Sequence, residues 1–387
     1  MKKLILSLSL ILFLLSLFFF VFPTQIARRA NRAFADARYQ ASGTAMAVHQ
    51  KLLIADLHCD ALLWKRNLLE RSSTGHVDIP RLLEGNVGLQ AFTIVTKMPF
   101  GANIDRTEES WDAITPLFIA QRAPLATWGS LLQRALYQAR KLHEFAERSN
   151  GKLVVIKTTV DLERYLARRE REPGITAGFL GLEGAHALEG DLANLDVLFD
   201  AGIRMIAPTH FFDTAFGGSA HGVEKNGLTG LGKEMIRRME AKGIIVDLAH
   251  ASPQTIDDAL ALVTKPVVVS HTGVRGTCDN NRNLSDDQIT RIAQTGGVIG
   301  IGFWDTAVCG TDARAIAKAI RHTVKVAGVA HVALGSDFDG AVTTPFDAAG
   351  LVALTEALLN EGFNETEVAL IMGGNVLRIL QQGLPSQ

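Results

Sequence analysis

Cysteine is scarce in this chain, and none of Cys59, Cys278 and Cys309 is spaced as a Cys-x-x-Cys pair. That argues against a structural zinc site of the finger type. An odd number of thiols also allows at most one internal disulfide. An excess of either charge is missing as well. Lys and Arg total 39 against 40 Asp and Glu, so nothing points to nucleic acid or another polyanion as a partner. Low-complexity tracts are absent after the N-terminal segment, and no sequence repeat is visible. Only 20% of residues are charged and 47% are hydrophobic, which is ample material for a large buried core. A length of 387 residues could hold two average domains, but barrels often use it as one.

The chain does have a long apolar run, at its start. Met1, Lys2 and Lys3 precede an uncharged stretch from Leu4 to Phe22, close to the roughly 20 residues that span a bilayer. The run ends in Phe20, Val21, Phe22 and Pro23, a poor cleavage site. Ala33-Phe34-Ala35 has the A-x-A form but lies well downstream. Residues 1–23 therefore read as an uncleaved signal anchor or transmembrane helix, and residues 24–50, rich in Ala and Arg, as a helical stalk. Basic residues flank both ends of the run (Lys2 and Lys3; Arg28, Arg29 and Arg32), so the positive-inside rule leaves orientation open. The expectation is a membrane-anchored protein with the remaining chain on the exported, periplasmic or extracellular, side.

From Leu52 onward, short β-branched runs alternate with longer amphipathic stretches, the pattern of a parallel α/β sheet. Eight candidate strands are legible: 52–58, 87–95, 176–184, 203–210, 243–250, 267–272, 296–303 and 331–340. Between them lie helical patterns such as 230–243, 252–263 with Ser252 before Pro253 at its start, and 286–297 closed by Gly296 or Gly297. Residues 97–174 are too long for one crossover helix and read as an insertion of two or three helices plus a small extra strand. An alternative places LVVIK (153–157) in the barrel and shifts the strand count. The expected fold is α/β, a (β/α)8 TIM-like barrel over residues 51–382 with a helical insertion after its second strand, preceded by the N-terminal membrane helix.

Chemistry gathers at strand ends. Six of the eight strands finish in His58 and Asp60, Glu183, His210, His250, His271 or Asp337. In such a barrel the C-terminal strand ends share the active-site face, so these residues converge. Taken singly, Glu183 reads as a turn carboxylate and His250 and His271 as core histidines. His186 and His221 lie outside the strand ends and read as loop residues, and Asp247 as a structural carboxylate. Together, so many ionisable groups are costly to bury unless paired or bound to metal. Three imidazoles and two carboxylates suit zinc. Five ligands exceed one catalytic zinc and fit two metals sharing a carboxylate, at a spacing of about 3.5–4 Å.

The motifs HCDALLW, GLEGAHAL, PTHFFDTAFG, DLAHAS, SHTGVRGTCDNNRNLSDDQ, GSDFDG and GGNVLRIL occur in that order from about Leu53 to Leu380. As a set they resemble the membrane (renal-type) dipeptidases, metal-dependent amidohydrolase barrels that cleave dipeptides with two zinc ions. The resemblance implies that His58 and Asp60 hold one zinc, His250 and His271 the other, and that Glu183 bridges them. It implies that a metal-bridging hydroxide attacks the scissile carbonyl while His210 steadies the oxyanion. Arg282 would grip the free C-terminal carboxylate of the dipeptide, and Asp337 would pass a proton to the leaving amine. Arg282 as a plain surface residue is the competing reading. The resemblance also implies a Cys278–Cys309 disulfide, with Cys59 left free. The lipid-anchored members have a C-terminal hydrophobic tail, whereas this sequence ends in GLPSQ, so the expected anchor is N-terminal. A homodimer is compatible with this reading.

Three alternatives compete with a dipeptidase. Related amidohydrolases bridge their metals with a carboxylated lysine, yet no lysine ends any of the eight strands. The same kind of site could act on another amide, such as an N-acyl amino acid or a β-lactam. A non-catalytic anchored binding protein predicts missing ligands, and none of the metal positions is missing.

Overall fold

The computed structural model describes residues 2–34 and 41–386. Eight parallel strands form the centre: β1 (Ile54–Asp56), β2 (Val87–Val95), β3 (Thr176–Glu183), β4 (Ile203–Ile206), β5 (Ile245–Val246), β6 (Val268–Thr272), β7 (Val298–Ile301) and β8 (Val332–Leu334). Their order around the sheet is β5-β4-β3-β2-β1-β8-β7-β6. A parallel bridge between Asp247 and Val268 joins the two ends, where Leu248 N–H donates to Val268 O at 2.8 Å. The result is a TIM-like barrel. Its strands are buried on both faces, which is why they read as near-continuous apolar runs rather than alternating ones.

Local sequence starts and stops the surrounding helices. Ser252 caps Pro253–Leu260 by accepting from Thr255 N–H. Ser285 and Gln288 form a reciprocal capping box on Asp286–Gln294. Gly243, with φ +73°, closes Gly230–Lys242 in the left-handed conformation.

The insertion lies between β2 and β3, as expected, but carries four helices: Ile114–Ala120, the single turn Ala126–Gly129, Leu131–Arg148 and Thr159–Arg169. The small strand Leu153–Val155 pairs with the start of β3, Leu153 opposite Thr176, whereas β4 pairs with β3 from Leu180 onward. LVVIK therefore flanks the barrel wall as an extra strand, and the count of eight stands.

At the N-terminus one helix runs from Lys2 to Ala30, long and apolar enough to cross a membrane by length and composition. The stalk expected over 24–50 is corrected where it is described. Ile26, Ala27 and Ala30 pack against Leu63, Trp64, Ile114 and Leu117. Arg32–Ala33 pairs with Thr343–Thr344, and Asn31 Oδ1 accepts from Ala341 N–H at 2.9 Å. Helix Gly43–Lys51 buries Ala45, Val48 and His49. His49 Nε2–H donates to Gly85 O at 3.2 Å, and Nδ1 accepts from Thr355 at 2.8 Å. Burial lowers its pKa to about 4, so the imidazole is neutral in the fold. The barrel domain thus begins before residue 51. Composition hid this, because an Ala- and Arg-rich helix looks the same docked or free. Residues 35–40, including Ala35 of the downstream A-x-A, lie outside the described residues.

Cys278 and Cys309 are disulfide-bonded across the loops after β6 and β7, and Cys59 is a buried free thiol.

Candidate functional site

Glu183, the last residue of β3, stands at the centre of a buried cluster at the C-terminal ends of the strands. Its Oε1 is 2.9 Å from His250 Nε2, 3.3 Å from His271 Nε2 and 3.6 Å from His58 Nε2. Its Oε2 is 3.4 Å from His210 Nε2. His58 Nε2 also lies 3.6 Å from Asp60 Oδ1 and 3.9 Å from Asp337 Oδ1. All seven predicted strand-end residues therefore meet in one place.

Second contacts orient the imidazoles. Ser270 Oγ sits between His58 Nδ1 and His271 Nδ1, at 3.0 and 3.1 Å. His221 Nδ1 is 2.8 Å from Ile104 O, which can only accept, so that nitrogen carries the hydrogen. His221 Nε2, 3.0 Å from His250 Nδ1, must then accept. His250 Nδ1 is the donor, and its Nε2 lone pair is left bare and aimed at the cluster. Thr93 donates to Asp60 Oδ1 at 2.6 Å. Asp247 Oδ1 accepts from Ala249 N–H and Ser270 N–H, tying β5 to β6 in the structural role its position suggested.

The electrostatics are those of a cluster short of positive charge. Burial pushes His250, His271 and His210 well below the ordinary imidazole value, helped by Arg282 and neighbouring imidazoles for His250 and His271, and by His186 and His221 for His210. Burial also opposes the charging of His58, yet the carboxylates of Glu183 and Asp60 raise it to about 10. Burial raises Glu183, and it raises Asp337 to about 8 against the pull of His58. His58 Nε2 is buried without a hydrogen-bond partner, and the Nε2 atoms of His250 and His271 face each other at 2.9 Å. Imidazole nitrogens converging on buried carboxylates are the donor set of a metal centre. The metal-capable groups are His58, Glu183 and His271; Glu183, His210 and His250; and His58, Asp60 and Asp337. His250 and Asp337 adopt φ of +61° and +59°, a strained conformation costing about 1–3 kcal/mol and common at working sites.

Arg282 is not a surface residue. It is 6% exposed, Nη2 donates to His271 O at 2.6 Å, and Nη1 donates to Thr272 Oγ1 at 3.2 Å. Burial lowers its pKa to about 10, which leaves it cationic at neutral pH. It lines a cleft of about 470 Å³ together with Asp60, Glu183, His210, His250 and Asp337.

Reading the sequence missed His221, Ser270 and Thr93. His221 was placed as a loop residue because it sits in the glycine-rich GGSAHGV, where no period marks an inward face. His186, also read as a loop residue, is buried with neither ring nitrogen hydrogen-bonded, 5.0 Å from the Phe212 ring. His221→Ala should weaken metal retention by about 10–100-fold, the usual effect of losing such an orienting contact. Dialysis against graded chelator measures this, and unchanged retention would contradict the role.

Comparison with known proteins fixes the relationship. The profile of the membrane dipeptidases, peptidase family M19, matches residues 43–384. This chain belongs to that family. The match begins at the docked helix Gly43–Lys51. Family membership makes the chain an enzyme, a metallopeptidase of the dipeptidase type, and accounts for the buried donor cluster. Two Schizosaccharomyces pombe proteins named as dipeptidases are 28% and 29% identical over 316 and 323 residues, covering 79% and 80% of this chain and 72% and 73% of theirs. A Rhodobacter sphaeroides metallopeptidase, solved with a phosphinate mimic of L-Ala-D-Ala, is 25% identical, with a TM-score of 0.70 over 86% of this chain and 99% of its own. The probable dipeptidase PvdM of Pseudomonas aeruginosa, 19% identical, shares the fold at a TM-score of 0.73 over 88% of this chain and 97% of its own.

Proposed function

We propose that this chain hydrolyses dipeptides that carry a free C-terminal carboxylate, with two zinc ions as cofactor. The convergence of three imidazole Nε2 atoms on Glu183 Oε1, beside a buried guanidinium on the cleft wall, carries this reading. His58 and Asp60 would hold one ion and His250 and His271 the other, with Glu183 shared between them. When bound, the metal pair supplies an acidified water and Lewis acidity toward the scissile carbonyl.

The protein's own groups do the rest. Arg282 presents a planar fork that matches a carboxylate. A fixed cation one residue beyond the scissile bond selects a free C-terminus. His210 Nδ1 lies 3.4 Å from Lys97 O, too long to fix the tautomer. In the Nε2–H tautomer it would donate to the oxygen that becomes negative. Asp337, 3.9 Å from His58 Nε2 on the cleft lining, would in its ionised form take the proton of the attacking water and deliver it to the amine nitrogen.

Arg282→Ala should raise KM for free dipeptides by about 10–100-fold, the worth of a charge-assisted hydrogen bond or two, with a smaller change in kcat. If the native enzyme cleaved C-terminally amidated dipeptides as well as free ones, the carboxylate role would be wrong. A second reading, an N-acyl amino acid in the same site, is favoured by the apolar wall of Leu63, Trp64, Val95, Met98, Ile114 and Leu117.

The helix Lys2–Ala30 serves as the anchor, with the barrel on the exported side. The Cys278–Cys309 disulfide supports that placement, since such bonds persist in oxidising compartments.

A further inference from the structure

The anchor and the catalytic cleft share a wall. Leu63, Trp64, Val95, Met98, Ile114 and Leu117 line the cleft, and the same six belong to the cluster in which Ile26, Ala27 and Ala30 of the N-terminal helix are seated. The helix therefore leaves the barrel at the cleft rim rather than at the opposite, N-terminal end of the strands.

The rim itself is apolar where it faces outward. Of the six large apolar side chains exposed beyond residue 30 among the described residues, three are close in sequence to residues of the cleft or its wall: Phe100 and Trp111 beside Met98, Ala102 and Ala113, and Leu125 two residues after Ala123, at 70%, 63% and 74% exposure. Phe100 and Trp111 sit edge to face, 5.8 Å between centroids, on a loop closed by the Pro99–Asp112 bridge. Ala102, Asn103 and Ile104 of that loop also line the cleft. Basic groups meet the helix at the same level. The Arg122 guanidinium lies 4.5 Å from the Phe20 ring centroid, and Lys65 and Arg122 border a hollow against Phe19, Phe20 and Pro23. Neither Lys65 nor Arg122 has a carboxylate partner among the described residues. Exposed aromatics beside basic groups, at the end of an apolar helix, are the composition of a membrane–water interface. A Lys or Arg held near an anionic leaflet is attracted to it.

We propose that this rim is a bilayer-docking face. Phe100, Trp111 and Leu125 enter the interfacial layer of the leaflet from which the N-terminal helix emerges, and Lys65 and Arg122 meet its lipid phosphates. The catalytic cleft then opens at the membrane surface. The proposal rests on the reading of Lys2–Ala30 as an anchor and is independent of the catalytic assignments.

Its test uses the full chain in vesicles of phosphatidylcholine and phosphatidylglycerol, with a nitroxide on one introduced cysteine. Cys59 is buried and the other two cysteines are bonded, so the introduced thiol is the one labelled. The positions are Trp111→Cys on the rim, Leu10→Cys in the helix and Glu172→Cys, which precedes β3 at the opposite end of the barrel. Collision of the label with oxygen reports lipid, and collision with a water-soluble nickel chelate reports solvent. The expected result is a ratio shifted toward oxygen at Trp111 and Leu10 but not at Glu172. A Trp111 label as water-exposed as Glu172, with Leu10 in lipid, overturns the docking face and leaves the anchor standing. Water exposure at both Trp111 and Leu10 overturns the anchor and the docking face together. Dipolar broadening at Trp111 that vanishes on dilution with unlabelled chain would mean that a second copy covers the rim, and also overturns the proposal.

Discussion

Glu183→Gln should reduce turnover by about 10³-fold or more, equivalent to roughly 4 kcal/mol of barrier. The amide keeps the shape of the side chain but loses the negative charge that would be shared between two cations. Glu183 Oε1 lies within 3.6 Å of the Nε2 atoms of His58, His250 and His271, so the lost charge is the one on which all three imidazoles converge. Metal content measured on the same preparation should fall as well. An unchanged rate would remove Glu183 from the mechanism.

Asp337→Asn should leave metal bound and lower kcat by about 10²–10³-fold, the scale of lost general acid–base catalysis. Asparagine fits the space and keeps a carbonyl oxygen near His58, but it cannot carry a proton between water and amine. The separation of metal content from kcat is the decisive reading here. A kcat equal to that of the native enzyme would exclude Asp337 as the proton carrier. Loss of metal alongside activity would move it from proton carrier to ligand, which its place in the His58–Asp60–Asp337 group also permits.

Much of this was legible before any coordinates. Strands buried on both faces announce themselves as unbroken β-branched runs, and 87–95 and 176–183 appear with almost those bounds. Parallel strands point one way, so the polar residues closing them had to meet, and His58, Glu183, His250 and His271 do. The orienting groups were hidden for the complementary reason. Ser270 lies inside the apolar VVVSHT, one residue before His271, where a small hydroxyl carries no periodic signal. His221 reaches His250 from a loop whose path depends on tertiary contacts. The N-terminal helix was plain as an apolar run, but a segment apolar on every face does not say which side will pack. Its seat on the cleft wall, and the docking of Gly43–Lys51, needed the three-dimensional fold.

Dipeptide cleavage by this chain would depend on metal held by the Glu183 cluster. The most direct measurement determines metal content and hydrolysis of a panel of L,L and L,D dipeptides on one full-length preparation, before and after chelation. The expected result is two zinc ions per chain and dipeptide cleavage that is lost on chelation and restored by added zinc. A protein that binds no metal and gains no activity when zinc is supplied would contradict it.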